Sequence, residues 1–342
     1  MKVKLLFTIF CLLISAFSYS QEKAQPRNGE GLQSFLVRYK RPGNEYRKKF
    51  IELNRSKLGP NQSLLLGVYY ELPPLLENNQ SSSTSTSTNK QTTSKKRKEP
   101  LFGPLLAEYT VKSDGKLKGT CFYVVSGHGG PDPGATGKIG KYDLHEDEYA
   151  YDIALRLARA LLIEGATVHI IIQDAKDGIR DDMYLNNSDR ETCMGETIPL
   201  NQKKRLQQRC NKINALSSKQ KEKHQRAIFI HLDSRSQKHQ LDVFFYHDPN
   251  CKKGKRLANT MKKTFKQHYD KHQPGRGFTG TVDPRNLHVL CNSGPVALFA
   301  ELGNIQNTFD QKRFLLASNR QALANWLCRG MINDYEDSKK QK

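Results

Sequence analysis

The sequence predicts an α/β domain with a mainly parallel, twisted sheet and helices on both faces, preceded by a small α+β module. Two observations carry this prediction. From Thr120 onward, short apolar segments alternate with amphipathic stretches of helical period, and the apolar segments are nearly continuous, as expected of strands buried on both faces. Before that region, residues 78–100 are rich in Ser, Thr and Lys and contain too few apolar side chains to pack into a core. We therefore expect a flexible linker there.

The first twenty residues, 1–20, predict a secretory signal peptide. Lys2 and Lys4 precede the apolar segment Leu5–Ala16, and the small residues Ser18 and Ser20 follow it. The apolar segment is too short for a stable membrane span. We expect cleavage after Ser20, export to the periplasm or cell envelope, and no transmembrane segment in the mature chain.

The chain carries a formal net charge of +21. This excess of Lys and Arg either solvates the surface or attracts a polyanion. Export argues against nucleic acid as that partner and favours an anionic polymer of the cell envelope. Of seven cysteines, Cys11 leaves with the signal peptide, and the remaining six permit disulfides in an exported protein. They form no Cys-x-x-Cys pair, which argues against a structural zinc cluster.

The small module at residues 28–76 reads as two helices followed by a strand. Apolar residues recur at helical spacing within Leu32–Tyr39, a second helix ends near Asn54, and Gly67–Pro73 closes the module. The module resembles the LysM family of peptidoglycan-binding modules in its Gly-x-x-Leu-x-x-aromatic opening, its Leu-Asn pair at Asn54 and its Gly…Leu-Pro ending. The resemblance implies peptidoglycan binding and the order strand–helix–helix–strand.

The larger domain, residues 101–338, alternates strands and helices in the manner of the α/β class. The segments predicted as strands are TCFYVVS from Thr120, ATVHIII from Ala166, AIFIHL from Ala227, LDVFFYH from Leu241, NLHVL from Asn286 and VALFAEL from Val296. The predicted helices begin near Glu146, Leu200, Lys255 and Asn319. In such sheets, functional groups lie beyond the carboxyl ends of the strands.

Polar groups stand where three of these strands end. The stretch VVSGHGGPDPGATG places His128 directly after the first strand, AIFIHL contains His231 near its end, and VALFAEL contains Glu301. Pro131 and Pro133 would break the helix that a phosphate-binding loop needs, and no Gly-Lys-Ser/Thr follows, which argues against a phosphate loop. Two imidazoles and carboxylates converging on one sheet edge are the ingredients of an open zinc site.

The helix that begins near Glu146 supplies the third candidate ligand. At about 100° per residue, Glu146 shares a face with Ala150 and Ile153, which must face the sheet. Glu148 points nearly opposite. Glu146 is therefore the predicted ligand, and Glu148 remains the alternative.

Four motifs in the same order make a family resemblance specific. From about Thr120 to Tyr335, the sequence resembles the zinc-dependent N-acetylmuramoyl-L-alanine amidase family of bacterial cell-wall hydrolases. The resemblance rests on the Gly-His-Gly-Gly-x-Asp-Pro-Gly-Ala-x-Gly block at Gly127–Gly137, the glutamate that starts a helix reaching Gly165, the Arg209–Asn214 segment ahead of the Ile-His strand, and Glu301 through Asn307.

The resemblance implies a function and a set of roles. Zn²⁺ would be held by His128, Glu146 and His231, and Glu301 would act as the catalytic base and then acid. The substrate would be peptidoglycan, cut at the amide bond between N-acetylmuramic acid and L-alanine of the stem peptide. The chain departs from the family pattern in Leu-Asp-Ser after His231, where the family usually has Ala-Asn-Ala, and in the long polar segment 174–199. These departures bear on substrate preference rather than on chemistry.

Several alternatives stay open on the sequence alone. A zinc peptidase acting within the stem peptide would use the same metal chemistry, and an inactive peptidoglycan-binding protein would keep the fold. Segment 174–199 is either a flap over the site or a surface insertion. Asp132, Asp233 and Asp242 either orient ligand imidazoles or serve as turn and capping residues, whereas Arg209 is a candidate anchor near the site. We expect a monomer. Whether the enzyme requires a protein activator stays open.

Overall fold

The computed structural model describes residues 22–75, 96–232 and 242–340. The predicted signal peptide and residues 78–95 of the predicted linker lie outside the described residues. Among the described residues, no helix combines the length and the apolar character that crossing a membrane requires.

The secondary structure follows the alternation that the sequence predicts. The strands are β1 (Lys23–Ala24), β2 (Tyr70–Glu71), β3 (Lys96–Lys98), β4 (Glu108–Thr110), β5 (Thr120–Ser126), β6 (Thr136–Ile139), β7 (Tyr142–His145), β8 (Thr167–Ile170), β9 (Ile172–Gln173), β10 (Thr192–Cys193), β11 (Glu196–Thr197), β12 (His224–His231), β13 (Phe244–His247), β14 (Thr281–Pro284) and β15 (Val296–Glu301). The helices are α1 (Leu32–Arg38), α2 (Asn44–Leu53), α3 (Glu146–Ile163), α4 (Gln202–Ser217), α5 (Lys252–His272), α6 (His288–Cys291), α7 (Thr308–Leu315) and α8 (Ala317–Lys339).

The larger domain is built on a six-stranded sheet in the order β14-β13-β15-β12-β5-β8. Neighbouring strands run parallel except for the antiparallel pair β13 and β15. Alternate side chains of β5 enter two different cores. Phe122 and Val124 pack with α3, α5 and α8 on one face, whereas Tyr123 and Val125 pack with α4 and α6 on the other. The prediction of a mainly parallel sheet with helices on both faces is therefore confirmed.

Two predicted elements are wrong in detail. The segment NLHVL is not a strand, because His288–Cys291 forms the short helix α6, whose Val289 and Leu290 pack on the core beside α4. A short apolar run does not by itself distinguish a strand from a buried helical turn. The predicted linker, residues 78–100, extends too far at its C-terminal end, since ordered structure begins at Lys96. Lys96–Lys98 forms β3, which pairs antiparallel with β4, because an exposed edge strand needs no apolar side chains.

The small module, called the N-terminal unit below, comprises residues 22–75 of the described chain. Its strand β1 pairs antiparallel with β2, so the unit begins before the predicted boundary at residue 28. The order is strand–helix–helix–strand. Phe35, Phe50 and Tyr70 are fully buried and form its core. Asn54 ties the end of α2 to β2, because its amide donates to the Glu71 carbonyl at 2.8 Å and its oxygen accepts from the Glu71 N–H at 2.8 Å.

The N-terminal unit contacts the larger domain through segment 174–199. Asp182 accepts hydrogen bonds from the Gly31 N–H at 3.1 Å and the Ser34 hydroxyl at 2.5 Å, at the start of α1. The Met183 N–H donates to the Gly29 carbonyl at 2.8 Å. Segment 174–199 therefore holds the N-terminal unit through charge-assisted and backbone hydrogen bonds.

Candidate metal centre

Four polar residues lie at the carboxyl ends of the central strands. His128 follows β5, His231 is the last residue of β12, Glu301 is the last residue of β15, and Glu146 is the first residue of α3. Strands β5, β12 and β15 are parallel neighbours, so their carboxyl ends meet at one edge of the sheet. His231 and Glu301 are partners in register, on strands about 4.8 Å apart.

A hairpin that the sequence analysis missed brings Glu146 to this edge. Strands β6 and β7 pair with Thr136 opposite His145, so the chain returns to the glycine-rich loop just before α3 begins. The Glu146 N–H donates to the Ala135 carbonyl at 2.9 Å, and the Ala135 N–H donates back to Glu146 Oε2 at 2.9 Å. The first turn of α3 is thereby fixed against the loop that carries His128.

The three predicted ligands lie together. One potential ligand atom from each of His128, Glu146 and His231 is within 4.8 Å of the other two. His128 Nε2 is 3.4 Å from Glu146 Oε2, and His231 Nδ1 is 3.1 Å from Glu146 Oε1. A tetrahedral Zn²⁺ ion with bonds of about 2.0–2.1 Å separates its ligand atoms by about 3.4 Å. The donor set and its spacing therefore fit zinc.

Glycines leave room for the two imidazoles. A Cβ at Gly127 would lie 2.2 Å from Cε1 of His231, and a Cβ at Gly134 would lie 2.7 Å from Cδ2 of His128. Both distances are shorter than real Cβ contacts allow. This close packing explains why glycines stand on either side of His128 in the loop.

The electrostatics of the centre favour a bound cation. Burial alone would raise the pKa of Glu146, but the His128 and His231 imidazoles and their hydrogen bonds hold that pKa well below its usual range. Burial lowers the pKa of His231 to about 4, which leaves its ring neutral, the form that binds metal. Burial would also lower the pKa of His128, but the Glu146 and Asp132 carboxylates raise it to about 10.

Of the three aspartates that the sequence offered for orienting a ligand imidazole, Asp132 is the one that the structure places against a candidate ligand. Its Oδ2 is 2.8 Å from His128 Nδ1 and accepts a hydrogen bond from Arg205 at 2.6 Å. A proton on Nδ1 that is donated to Asp132 leaves Nε2 with its lone pair free for a metal. Asp242 instead binds two arginines and a threonine away from the centre. Asp233 lies outside the described residues.

Arg209 anchors the loop, as the sequence suggested. It is 2 % exposed and donates hydrogen bonds to the carbonyls of Gly127 and of His128, the latter at 3.0 Å. Burial lowers its pKa to about 10, so the guanidinium stays charged at neutral pH. The backbone on both sides of the first histidine is therefore held by one buried side chain.

Glu148, the alternative ligand, lies elsewhere. It is buried against segment 174–199, where it accepts hydrogen bonds from Arg180 at 2.8 Å and the Ser188 N–H at 2.5 Å. With Asp147 and Glu191 it forms a second group of acids whose oxygens lie within 4.8 Å of one another. This cluster is not predictable from the sequence pattern, because Glu191 approaches α3 only through tertiary structure.

Comparison with known protein families identifies the family of this chain. The sequence model of a family described as N-acetylmuramoyl-L-alanine amidase matches residues 123–333, more than half of the chain. The chain belongs to this family. It is therefore a peptidoglycan amidase, an enzyme that hydrolyses an amide bond of the cell wall. No curated protein sequence matches the chain.

Solved structures of other amidases are similar to this amidase at low identity. N-acetylmuramoyl-L-alanine amidase AmiC2 of Nostoc punctiforme is 18% identical over 66% of this chain and 99% of that chain, with a TM-score of 0.45. The amidase from Clostridium difficile 630 is 21% identical over 66% and 99%, with a TM-score of 0.46. The CwlD amidase from Clostridioides difficile, solved in complex with the GerS lipoprotein, is 16% identical over 64% and 98%, with a TM-score of 0.46.

Proposed function

We propose that this amidase is an exported, Zn²⁺-dependent enzyme that binds peptidoglycan through its N-terminal unit. It cuts the bond between N-acetylmuramic acid and L-alanine of the stem peptide. The observation that supports the metal most strongly is the convergence of His128, Glu146 and His231 at the sheet edge where Glu301 also ends its strand. Peptidoglycan is the partner, and the chain acts as a monomer, with or without a protein activator.

Each residue of the centre has a distinct task in this proposal. His128, Glu146 and His231 hold the ion, and Asp132 fixes the tautomer and the orientation of the His128 ring. A Zn²⁺ ion bound by these residues would supply Lewis-acid chemistry, which would activate water and polarise the scissile carbonyl. The Glu301 carboxylate, next to His231 in the sheet, takes a proton from the attacking water and returns it to the amine of L-alanine as the bond breaks.

The N-terminal unit is proposed to be a LysM-like wall-binding module. The order of its elements, strand–helix–helix–strand, is the order that the sequence resemblance implies. It exposes apolar side chains between α2 and β2, among them Leu66, which is 67 % exposed, and Tyr69, which is 60 % exposed. These two exposed side chains are the residues that we propose to contact the wall.

Digestion of purified sacculi tests the catalytic proposal. The mature chain is incubated with Zn²⁺ or with a chelator, alongside Glu301→Gln and the exposed control Glu108→Gln, and the fragments are identified by mass. We expect zinc-dependent release of intact stem peptides with a free L-alanine amine, retained in the control and lost in Glu301→Gln. Cuts inside the peptide would instead identify a peptidase, and no release despite retention on sacculi would identify either a binding protein or an enzyme that requires an activator.

Sedimentation with sacculi tests the role of the N-terminal unit. In the presence of a chelator, the double variant Leu66→Ser, Tyr69→Ser is compared with Leu200→Ser, which removes an apolar side chain that is 78 % exposed on the larger domain. All three side chains are exposed, so both variants should fold. We expect the double variant to sediment less and Leu200→Ser to sediment like the unmodified chain; equal sedimentation of all three proteins would contradict the proposal.

A further inference from the structure

A second group of acids lies behind the loop that carries His128. Asp147, Glu148 and Glu191 are 3 %, 1 % and 5 % exposed, and one oxygen from each lies within 4.8 Å of the other two. Asp147 and Glu148 belong to the first turn of α3, and Glu191 comes from segment 174–199. Three carboxylates are therefore packed together away from water, where an uncompensated charge is costly.

The charges in this cluster do not balance. Glu148 forms an ion pair with Arg180 at 2.8 Å, which neutralises one of the three. Glu191 accepts hydrogen bonds from the Gly130 N–H at 2.9 Å and the Ser188 hydroxyl at 2.8 Å, both uncharged donors. Within the described part of the chain, neither Asp147 nor Glu191 forms an ion pair with Lys or Arg. These two carboxylates therefore have no cationic side chain among the described residues to balance them when ionised, and together they would match the charge of one divalent cation.

An oxygen of Asp147 also lacks a partner. Its Oδ1 accepts a hydrogen bond from the Glu148 N–H at 2.9 Å, but its Oδ2 is buried and makes no hydrogen bond with any described residue. Buried polar atoms are almost always hydrogen-bonded or bound to an ion. Among the described residues, Asp147 therefore combines a buried oxygen that makes no hydrogen bond with a carboxylate that forms no ion pair.

We propose that Asp147, Glu148 and Glu191 bind a hard divalent cation, Ca²⁺ in the first place, at a site separate from the catalytic centre. Carboxylate and carbonyl oxygens are the protein ligands that Ca²⁺ prefers, at about 2.3–2.6 Å, so two ligands of one ion lie at most about 5 Å apart. The spacing of the three acids meets this limit. The all-oxygen donor set differs from the two imidazoles and one carboxylate of the catalytic centre and selects a different class of metal.

The position of the site gives the cation a structural task. Glu191 holds Gly130 in the loop that carries His128, and Asp147 directly follows Glu146 in α3. A cation shared by Asp147 and Glu191 would join segment 174–199 to the first turn of α3. It would thereby brace the loop and the helix that present two of the three catalytic ligands.

Metal content and thermal stability test this proposal without relying on activity. The zinc-saturated mature chain is dialysed against Ca²⁺, Mg²⁺ or a chelator, its metals are counted by mass spectrometry, and its Tm is recorded. We expect one Ca²⁺ per chain beyond zinc and, at a hundred times the Kd, a rise in Tm of about 5–10 °C. Retention of Mg²⁺ instead would support the same site with a smaller ion.

Matched variants locate the ion. Asp147→Asn should lose the added ion and the Tm response, and it should be more stable than the unmodified chain in chelator, because it removes a buried unpaired charge. Asp189→Asn removes an exposed carboxylate of the same segment and should behave like the unmodified chain. If Asp147→Asn does not fold, Glu191→Gln takes its place.

The second site should bind its cation independently of the catalytic centre. His231→Ala, which removes a proposed zinc ligand, should still retain Ca²⁺, so the test stands even if the zinc proposal fails. Three results would overturn the proposal: no Ca²⁺ or Mg²⁺ retained and no Tm response, an equal response in Asp147→Asn, or loss of Ca²⁺ in His231→Ala. The first would show that the cluster holds a proton rather than a metal ion.

Discussion

The substitution Gly127→Ala tests the metal centre directly, because it adds one methyl group beside the site and leaves all three proposed ligand side chains unchanged. The new Cβ would lie 2.2–2.4 Å from three atoms of the His231 ring. The backbone cannot readily retreat, because the Gly127 N–H donates to the Ile230 carbonyl at 2.8 Å and Arg209 holds the Gly127 carbonyl. We therefore expect the imidazole to move and the loop to stay.

The size of this movement predicts the loss. Ordinary contact begins at 3.4 Å, so the ring must withdraw from 2.2 Å by 3.4 − 2.2 = 1.2 Å. Metal sites tolerate deviations of about 0.2 Å, and a misplacement of about 1 Å costs about a hundredfold in rate. Overpacking of this kind costs about 1–3 kcal/mol, which for a domain of this size lowers the Tm by about 2–12 °C. The variant should therefore fold but bind zinc poorly.

Two measurements separate loss of the site from loss of the fold. Zinc affinity is measured by competition with a chromophoric chelator, and amide hydrolysis is measured on a soluble muramoyl peptide, each beside a thermal melt. Gly254→Ala is the matched control, since its Cβ would meet neighbours at an ordinary 3.4 Å within α5. A folded Gly127→Ala that keeps both its zinc affinity and its rate would refute the assignment of His231 as a ligand.

Three further predictions follow from contacts in the structure. Asp132→Asn should weaken zinc binding about 10–100-fold by releasing the His128 ring, measured by the same chelator competition. Asp182→Asn should weaken the hold on the N-terminal unit at Ser34, so limited proteolysis between the two parts should speed up while hydrolysis of a soluble muramoyl peptide is unchanged. Burial would raise the pKa of Asp152, but two buried arginines lower it to about 2, below its usual value near 4. The contribution of ionised Asp152 to the free energy of unfolding is therefore complete above about pH 4 and is lost as the pH falls through 2. Urea unfolding at pH 7, 4 and 3 should show the free energy of unfolding beginning to fall between pH 4 and pH 3. The fall should be smaller in Asp152→Asn, which has no carboxylate to protonate at this position.

The arrangement of the site could be predicted because it follows from topology. Parallel strands end at a common edge, so His128, His231 and Glu301 had to approach one another once their strands were recognised as neighbours. Helical periodicity then chose between two carboxylates: Glu146 lies with the histidines, and Glu148 lies against another segment. Their roles in binding and catalysis remain predictions that the experiments above test.

Features that depend on long-range contacts could not be predicted. Periodicity predicts that Glu146 faces inward, but acids at the start of a helix commonly stay in water, where they complement the helix dipole, and nothing in the sequence predicts that Asp147 and Glu148 are buried too. Their burial depends on the approach of segment 174–199, which supplies Arg180 and Ser188 to Glu148. The six predicted mature cysteines permit disulfides, but all of those in the described residues are free thiols, and Cys121, Cys193 and Cys210 lie in one apolar core.

The sequence left two interpretations of segment 174–199 open, a flap over the site or a surface insertion. In the structure, the segment is instead a connection that contacts three separate parts of the chain. It supplies Glu191 to the loop of the catalytic centre, Arg180 to the first turn of α3 and Asp182 to the N-terminal unit. A flap can leave its site without breaking buried ion pairs, but removal of this segment would take Arg180 from Glu148 and expose the first turn of α3 to water. Removing the arginine alone, as in Arg180→Ala, would leave the Glu148 carboxylate buried without its partner, which costs about 3–5 kcal/mol. Because its contacts are buried polar ones, its deletion should destabilise the domain before it alters access to the substrate.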